Sequence, residues 1–127
     1  MVRVQELKRL QIQASADPSV FTPELIQSVL RLIRTNPEPT VRAHAAGGLR
    51  GATSPEFRQA MIGLLQSDPS AGVRQSAADA LAPANGHADV REALSRALER
   101  ETEVHVRDQI RRSLNYVAPV DRLRKGS

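Results

Sequence analysis

Residues 36–49 read NPEPTVRAHAAGGL and residues 68–81 read DPSAGVRQSAADAL. The two stretches lie 32 residues apart, and the same offset sets 23–54 on 55–86 with eleven identities. Roughly two or three would arise by chance at ordinary composition. The matches are Pro23/Pro55, Glu24/Glu56, Gln27/Gln59, Leu32/Leu64, Pro37/Pro69, Val41/Val73, Arg42/Arg74, Ala45/Ala77, Ala46/Ala78, Leu49/Leu81 and Ala52/Ala84. A further slide of 33 brings 88–119 into line, where Arg91, Ala93, Leu98, Val106, Arg107 and Leu114 repeat Arg58, Ala60, Leu65, Val73, Arg74 and Leu81. A fixed period of this length signals stacked supersecondary units, none of which buries its apolar face alone.

Each copy reads as two helices joined by a short turn. The first helix opens on Pro23-Glu24 or Pro55-Glu56, because Pro needs no donor in a first turn and Glu suits the positive end of the helix dipole. Thr22 and Ser54 precede these pairs as N-caps. Apolar residues then recur at helical spacing: Leu25, Val29, Leu32 and Ile33; Phe57, Met61, Leu64 and Leu65; Val90, Leu94, Ala97 and Leu98. Asn36-Pro37 and Asp68-Pro69 end these helices, since the residue before Pro is pushed out of the helical region. The second helix carries Val41, Ala45, Leu49 and Ala52, then Val73, Ala77, Leu81 and Ala84, then Val106, Ile110, Leu114 and Val117. The small residues at its centre predict close helix packing, and Gly47-Gly48 is read as a mid-helix close-packing feature.

The pattern D/N-P-x-x-x-V-R-x-x-A-A-x-x-L resembles the HEAT repeat family, and especially the short HEAT-like repeats of phycobilin lyases. The resemblance covers residues 23–119 and implies an all-α, right-handed α-solenoid of about three helix pairs (23–54, 55–87 and 88–119). It also implies a ladder along the stack, in which an Asp or Asn of the inter-helix turn bonds an Arg early in the second helix. Asn36 with Arg42, Asp68 with Arg74, and Glu101 with Arg107 keep that six-residue separation. The third copy departs from the pattern with Thr102 for Pro and Arg111 for the second Ala, which suits a terminal repeat with a polar outer face. Residues 1–22 are expected to form an amphipathic capping helix, bearing Val4, Leu7 and Leu10, and a linker. Residues 120–127, VDRLRKGS, read as a basic flexible tail.

Composition narrows the chemistry. The 127 residues include no Cys and no Trp, with only Tyr116, Phe21 and Phe57 aromatic. Thiol nucleophiles, disulfides and thiolate metal sites are excluded, and base or flavin stacking has few platforms. The net charge of +4 sits wholly in residues 104–127, which hold six cations and two acids. A neutral body with a basic end is a poorer nucleic-acid signature than a basic stripe along the whole array. No apolar run is long enough to span a bilayer and the N-terminus lacks a signal-like apolar block, so the expectation is a soluble, cytoplasmic chain.

No catalytic constellation emerges. His44, His87 and His105 fall at different positions of different repeats, without the spacing of a metal site, and no phosphate-loop or nucleophile-elbow motif is present. No cofactor or metal is expected. Arg42, Arg74 and Arg107 could form a phosphate-binding row, but their fixed distance from Asn36, Asp68 and Glu101 favours structural pairing. Arg111, Arg112, Arg122, Arg124 and Lys125 read as a solvated helix end and tail.

The surface that helical geometry singles out lies on the second helices. A wheel with Val41, Ala45 and Leu49 inward sends Ala43, Gly47 and Arg50 outward. Gln75, Asp79 and Ala82 then align beside them, followed by Asp108, Arg112 and Asn115. The resemblance places this row on the concave side of the array and implies a non-enzymatic module that binds another protein or peptide there. An ordinary solvated face is the plain alternative. Nucleic-acid binding and phycobilin-lyase-like handling of a chromophore are the other functional readings that the resemblance allows.

Overall fold

The computed structural model describes residues 22–118. The expected capping helix and basic tail lie outside these residues. Among them the chain forms six α-helices in three pairs and no strand. These are α1 (Pro23–Thr35) with α2 (Pro39–Gly48), α3 (Pro55–Ser67) with α4 (Ala71–Leu81), and α5 (Ala88–Arg100) with α6 (Val104–Leu114). A single 3-10 turn, Ala82–Ala84, follows α4.

The helix boundaries follow from local chemistry. Thr22 Oγ1 accepts the amide of Leu25 at 3.2 Å and Ser54 Oγ that of Phe57 at 3.1 Å, each satisfying one of the orphan N–H groups of a first turn. Pro23 and Pro55 occupy that first turn without sacrificing a bond. At the other end the chain leaves the helix at Asn36 and Asp68, each preceding a Pro, as the sequence predicts. The turn then closes on the side chain of that residue. Asn36 Oδ1 accepts from the amide of Glu38 at 2.9 Å and Asp68 Oδ1 from that of Ser70 at 2.9 Å. Glu101, one methylene longer, reaches the equivalent amide of Glu103 at 3.1 Å.

One continuous core runs through the three pairs, with Val29, Leu49, Phe57, Met61, Leu65, Leu81, Leu94 and Ile110 fully enclosed. The first helices bury a somewhat different arc from the one periodicity suggests. Ile26 and Leu30 are buried in α1 and Ile62 in α3, whereas Leu25, Leu32, Leu64 and Leu98 are half-buried at the margins. Each first helix faces both its own second helix and neighbouring first helices, and that double contact displaces the buried arc. The second helices are also shorter than expected. Gly48 closes α2 instead of standing mid-helix, and α6 ends at Leu114, so Ala52, Ala84 and Val117 fall beyond the helices. Ala52 remains buried in its loop, while Val117 is exposed. Gly51, at φ 96°, supplies the left-handed residue with which the chain turns out of the first repeat.

Between repeats the second helices make the most extensive contacts and the first helices the sparsest. Side-chain size explains the difference. Ala45, Ala46, Ala77, Ala78 and Ala80 are buried in α2 and α4, which lets the helix axes approach, while Leu, Ile, Phe and Met hold the first helices apart. The hydroxyl of Ser113, fully buried on α6, donates to the carbonyl of Ala78 at 2.7 Å and marks how closely α6 lies on α4. Replacing Ala78 with Leu should therefore overpack this contact and lower stability by about 1–3 kcal/mol, measured by thermal or urea unfolding. An unchanged unfolding midpoint would show that the second helices are not closely packed there.

Candidate functional site

The side chains that set the register of the array lie at the inter-helix turns. Arg42, early in α2, donates from Nε to Asp68 Oδ2 at 3.0 Å and from Nη2 to Asp68 Oδ1 at 3.1 Å, while Nη1 reaches the carbonyl of Asn36 at 3.1 Å. Arg74 repeats the arrangement one unit later. Its Nε and Nη2 hold Glu101 at 2.9 and 3.1 Å, and its Nη1 holds the carbonyl of Asp68 at 3.0 Å. The six-residue separation seen in the sequence thus corresponds to a bond to the main chain, and the carboxylate comes from the following repeat. This differs from a side-chain pair inside each repeat, and the reason is directional. The turn residue's side chain already closes its own turn, whereas its carbonyl faces the Arg of the same repeat. Arg107, in the third repeat, bonds the carbonyls of Leu98 and Glu101 at 2.7 and 2.9 Å.

These pairs are largely shielded from solvent, with side-chain exposures of 12% and 5% for Arg42 and Asp68 and 20% and 7% for Arg74 and Glu101. The hydrogen bonds from Arg74, joined by the amide of Glu103, hold the Glu101 carboxyl below the ordinary carboxylate range, and Glu101 in turn raises the guanidinium of Arg74. Forks filled by carboxylates leave Arg42 and Arg74 no open geometry for phosphate.

Beside these rungs, the second helices pack on one another more extensively than the first helices do. Arg50, at the end of the first repeat, lies with its guanidinium carbon 5.3 Å from the ring centroid of Tyr116, at the end of the third. This contact joins the first repeat directly to the third. On the way Arg50 Nε meets Asp79 of the second repeat, 3.5 Å from Oδ1 and 3.3 Å from the carbonyl. One cation thus ties all three repeats together, through a cation–π contact and an ion pair.

The structure therefore divides the sequence-derived row. Arg50 and Asp79 satisfy each other, and Ala82 is buried in the 3-10 turn. Ala43, Gly47 and Gln75 are half-buried, while Asp108, Arg112 and Asn115 are exposed. Arg112 donates to Gln109 Oε1 at 2.9 Å, Asp108 accepts from Arg111 at 3.3 Å, and Asn115 caps the end of α6 through the carbonyl of Arg111 at 3.0 Å. Gly47 and Gln75 thus stay partly accessible, and Asp108 and Arg112 fully so.

Two features of this scaffold are not evident in the sequence reading. Gln27 donates to Glu56 at 3.1 Å and Gln59 to Asp89 at 3.1 Å, forming a second set of rungs between the first helices. The identity Gln27/Gln59 carries its signal, whereas Glu24 and Glu56 also recur because an acid suits a helix first turn. Asn85 sits between repeats and donates to the carbonyls of Ser113 and Tyr116 at 3.0 and 2.9 Å, satisfying acceptors at the end of α6. As a single residue without repeat counterpart it leaves no periodic trace.

A family model described as HEAT repeats matches residues 22–115. No curated protein and no solved structure matches the chain. Among the described residues no helix is long and apolar enough to cross a membrane.

The inter-repeat pairs lead to two measurable outcomes. Arg74→Ala strands the Glu101 carboxylate and should cost about 1–3 kcal/mol, whereas Arg107→Ala, which releases only carbonyls, should cost less; equal losses in urea unfolding would contradict the rung geometry. Because the pKa of Glu101 is depressed in the folded state, its contribution is complete above the unfolded carboxylate value of about 4.3 and is lost as pH falls through the folded value. Glu101→Gln should therefore flatten the acid limb of the stability profile. A profile that keeps its wild-type slope below that pH would remove Glu101 from the account.

Proposed function

This chain belongs to the HEAT repeat family, and we propose that it works as a non-catalytic module that binds another protein along the inner face of its second helices. What supports the reading is the set of bonds that holds the three repeats in register. Rungs between repeats and the Arg50–Asp79–Tyr116 tie hold α2, α4 and α6 side by side, so groups from three separate helices form one prearranged surface. Prearrangement lowers the ordering cost of association, and a repeat array supplies it over a length that a single helix does not.

Within the face, Gln75, Asp108 and Arg112 supply directional polar contacts, and Ala43 and Gly47 leave room for a partner's backbone or side chains to approach. Arg50 and Asp79 act differently from the other members of the row: they pair with each other, and Arg50 also lies over Tyr116 of the third repeat. A helix or peptide laid across α2, α4 and α6 fits this mixture of small and charged groups.

The test is affinity capture from a lysate of the organism of origin, with nuclease treatment in parallel and Arg112→Glu beside wild type. Arg112 is exposed and pairs only with Gln109 of its own helix, so the variant should stay folded, losing no more than about 1 kcal/mol at the helix C-terminus, and should lose the captured protein. Capture that persists unchanged would overturn the inner-face reading, and capture that disappears with nuclease would transfer the function to nucleic acid.

A further inference from the structure

Helix α6 carries a face whose counterparts are covered elsewhere in the array. Val104, Arg107, Arg111 and Leu114 share one side of the helix at three- and four-residue spacing. The repeat register sets Arg107, Arg111 and Leu114 on Arg42, Ala46 and Leu49 of α2 and on Arg74, Ala78 and Leu81 of α4. In those two helices the following repeat closes over the face. Asp68 and Glu101 fill the arginine forks, and the alanines and leucines have no exposure. On α6, among the described residues, the face stays open. Val104 is 61% exposed, Leu114 is only half-buried, and the Arg111 side chain is half-exposed.

The fork of Arg107 is held as the other two are. Its Nη1 is anchored on the carbonyls of Leu98 and Glu101, as that of Arg42 is on Asn36 and that of Arg74 on Asp68. Nε and Nη2 are the atoms that hold a carboxylate in both earlier copies. On Arg107 they have no partner among the described residues. Glu101 is taken by Arg74 and Asp108 by Arg111, and Glu103, one turn before Arg107, makes no ion pair with it.

We propose that this face of α6 docks an acidic helix-turn segment of a partner protein, with a carboxylate in the fork of Arg107 and apolar residues over Val104 and Leu114. The chain itself shows what such a fork takes. In both rungs the acid is the residue that ends a helix and closes the turn after it, Asp68 through the amide of Ser70 and Glu101 through that of Glu103. Arg111, in the place of Ala46 and Ala78, adds a second cation one turn from the fork. A phosphate satisfies the fork and leaves Val104 and Leu114 uncovered. A second copy of this chain does not match the face. Stacked in the same register, it presents the neutral amide of Asn36 to the fork and sets its Glu24 against Glu92, which stands where Gln27 and Gln59 donate to acids of the next repeat. Residues 119–127 carry three cations and one acid, a balance that opposes contact with two guanidinium groups. Arg112 lies about 140° round the helix from Arg107, so the proposal does not depend on the inner-face reading.

The test is selection from displayed peptides of about 16 residues, enough for a helix as long as α3 and its turn, on the full chain. The affinities of the enriched peptides are then measured on variants. Arg107→Lys keeps the charge but loses the fork, and should weaken binding about tenfold or more. Val104→Glu puts an acid into a helix first turn, where the dipole favours it, so the protein should keep its melting temperature while binding falls. Arg31→Glu, a charge reversal on exposed α1, should leave affinity unchanged, and the enriched sequences should share an Asp or Glu following apolar residues at helical spacing. Enriched peptides indifferent to Arg107→Lys would overturn the proposal. So would peptides that bind only after Asp121→Asn, which would give the fork to this chain's own tail, or self-association that Arg107→Lys removes, which would give it to a second copy. Displacement of the peptides by single-stranded oligothymidine, lost in Arg107→Lys, would reassign the face to nucleic acid.

Discussion

The bidentate bond from an arginine of one repeat to the carboxylate of the next organises this molecule. Each repeat alone is two short helices that expose an apolar face, and helices of 10 to 13 residues are marginal without tertiary packing. Hydrophobic burial draws the pairs together, but it is non-directional and tolerates sliding. Arg42 and Arg74 remove that freedom. Each uses one nitrogen to hold its own turn and two to hold the following turn, so the position of every repeat is set by its predecessor.

Curvature follows from what stands on either side of these rungs. Alanines between α2 and α4, and Ala78 against Ser113, let the second helices close up. Larger side chains and the sparser contacts of the first helices open the outer side. The same asymmetry accompanies the contact of Arg50 in the first repeat with Tyr116 in the third.

Much of the fold is legible in the sequence because repetition amplifies local signals. Thr22 and Ser54 as caps, the breaks before Pro37 and Pro69, and the alanine-rich second helices each occur more than once, so their shared cause stands out. What escaped depends on three-dimensional neighbours. The destination of Arg42 is Asp68, 26 residues away, and spacing within one repeat points instead to Asn36. Arg50 reads as an outward-facing binding residue because a helical wheel treats one helix at a time, and its partners are on two other repeats. Asn85 and Ser113 occur once each, and their roles as a carbonyl cap and an inter-helix bond have no periodicity to reveal them.

The direction of the rungs is the most direct point of test, and a double-mutant cycle in urea unfolding measures it. Arg42→Ala and Asp68→Ala, singly and together, should show a coupling of about 1 kcal/mol or more, while Arg42→Ala and Asn36→Ala should add to within about 0.5 kcal/mol. Strong coupling of Arg42 to Asn36 with none to Asp68 would mean that the side-chain pairs close within repeats, and the array would then lack the interlock on which this account rests.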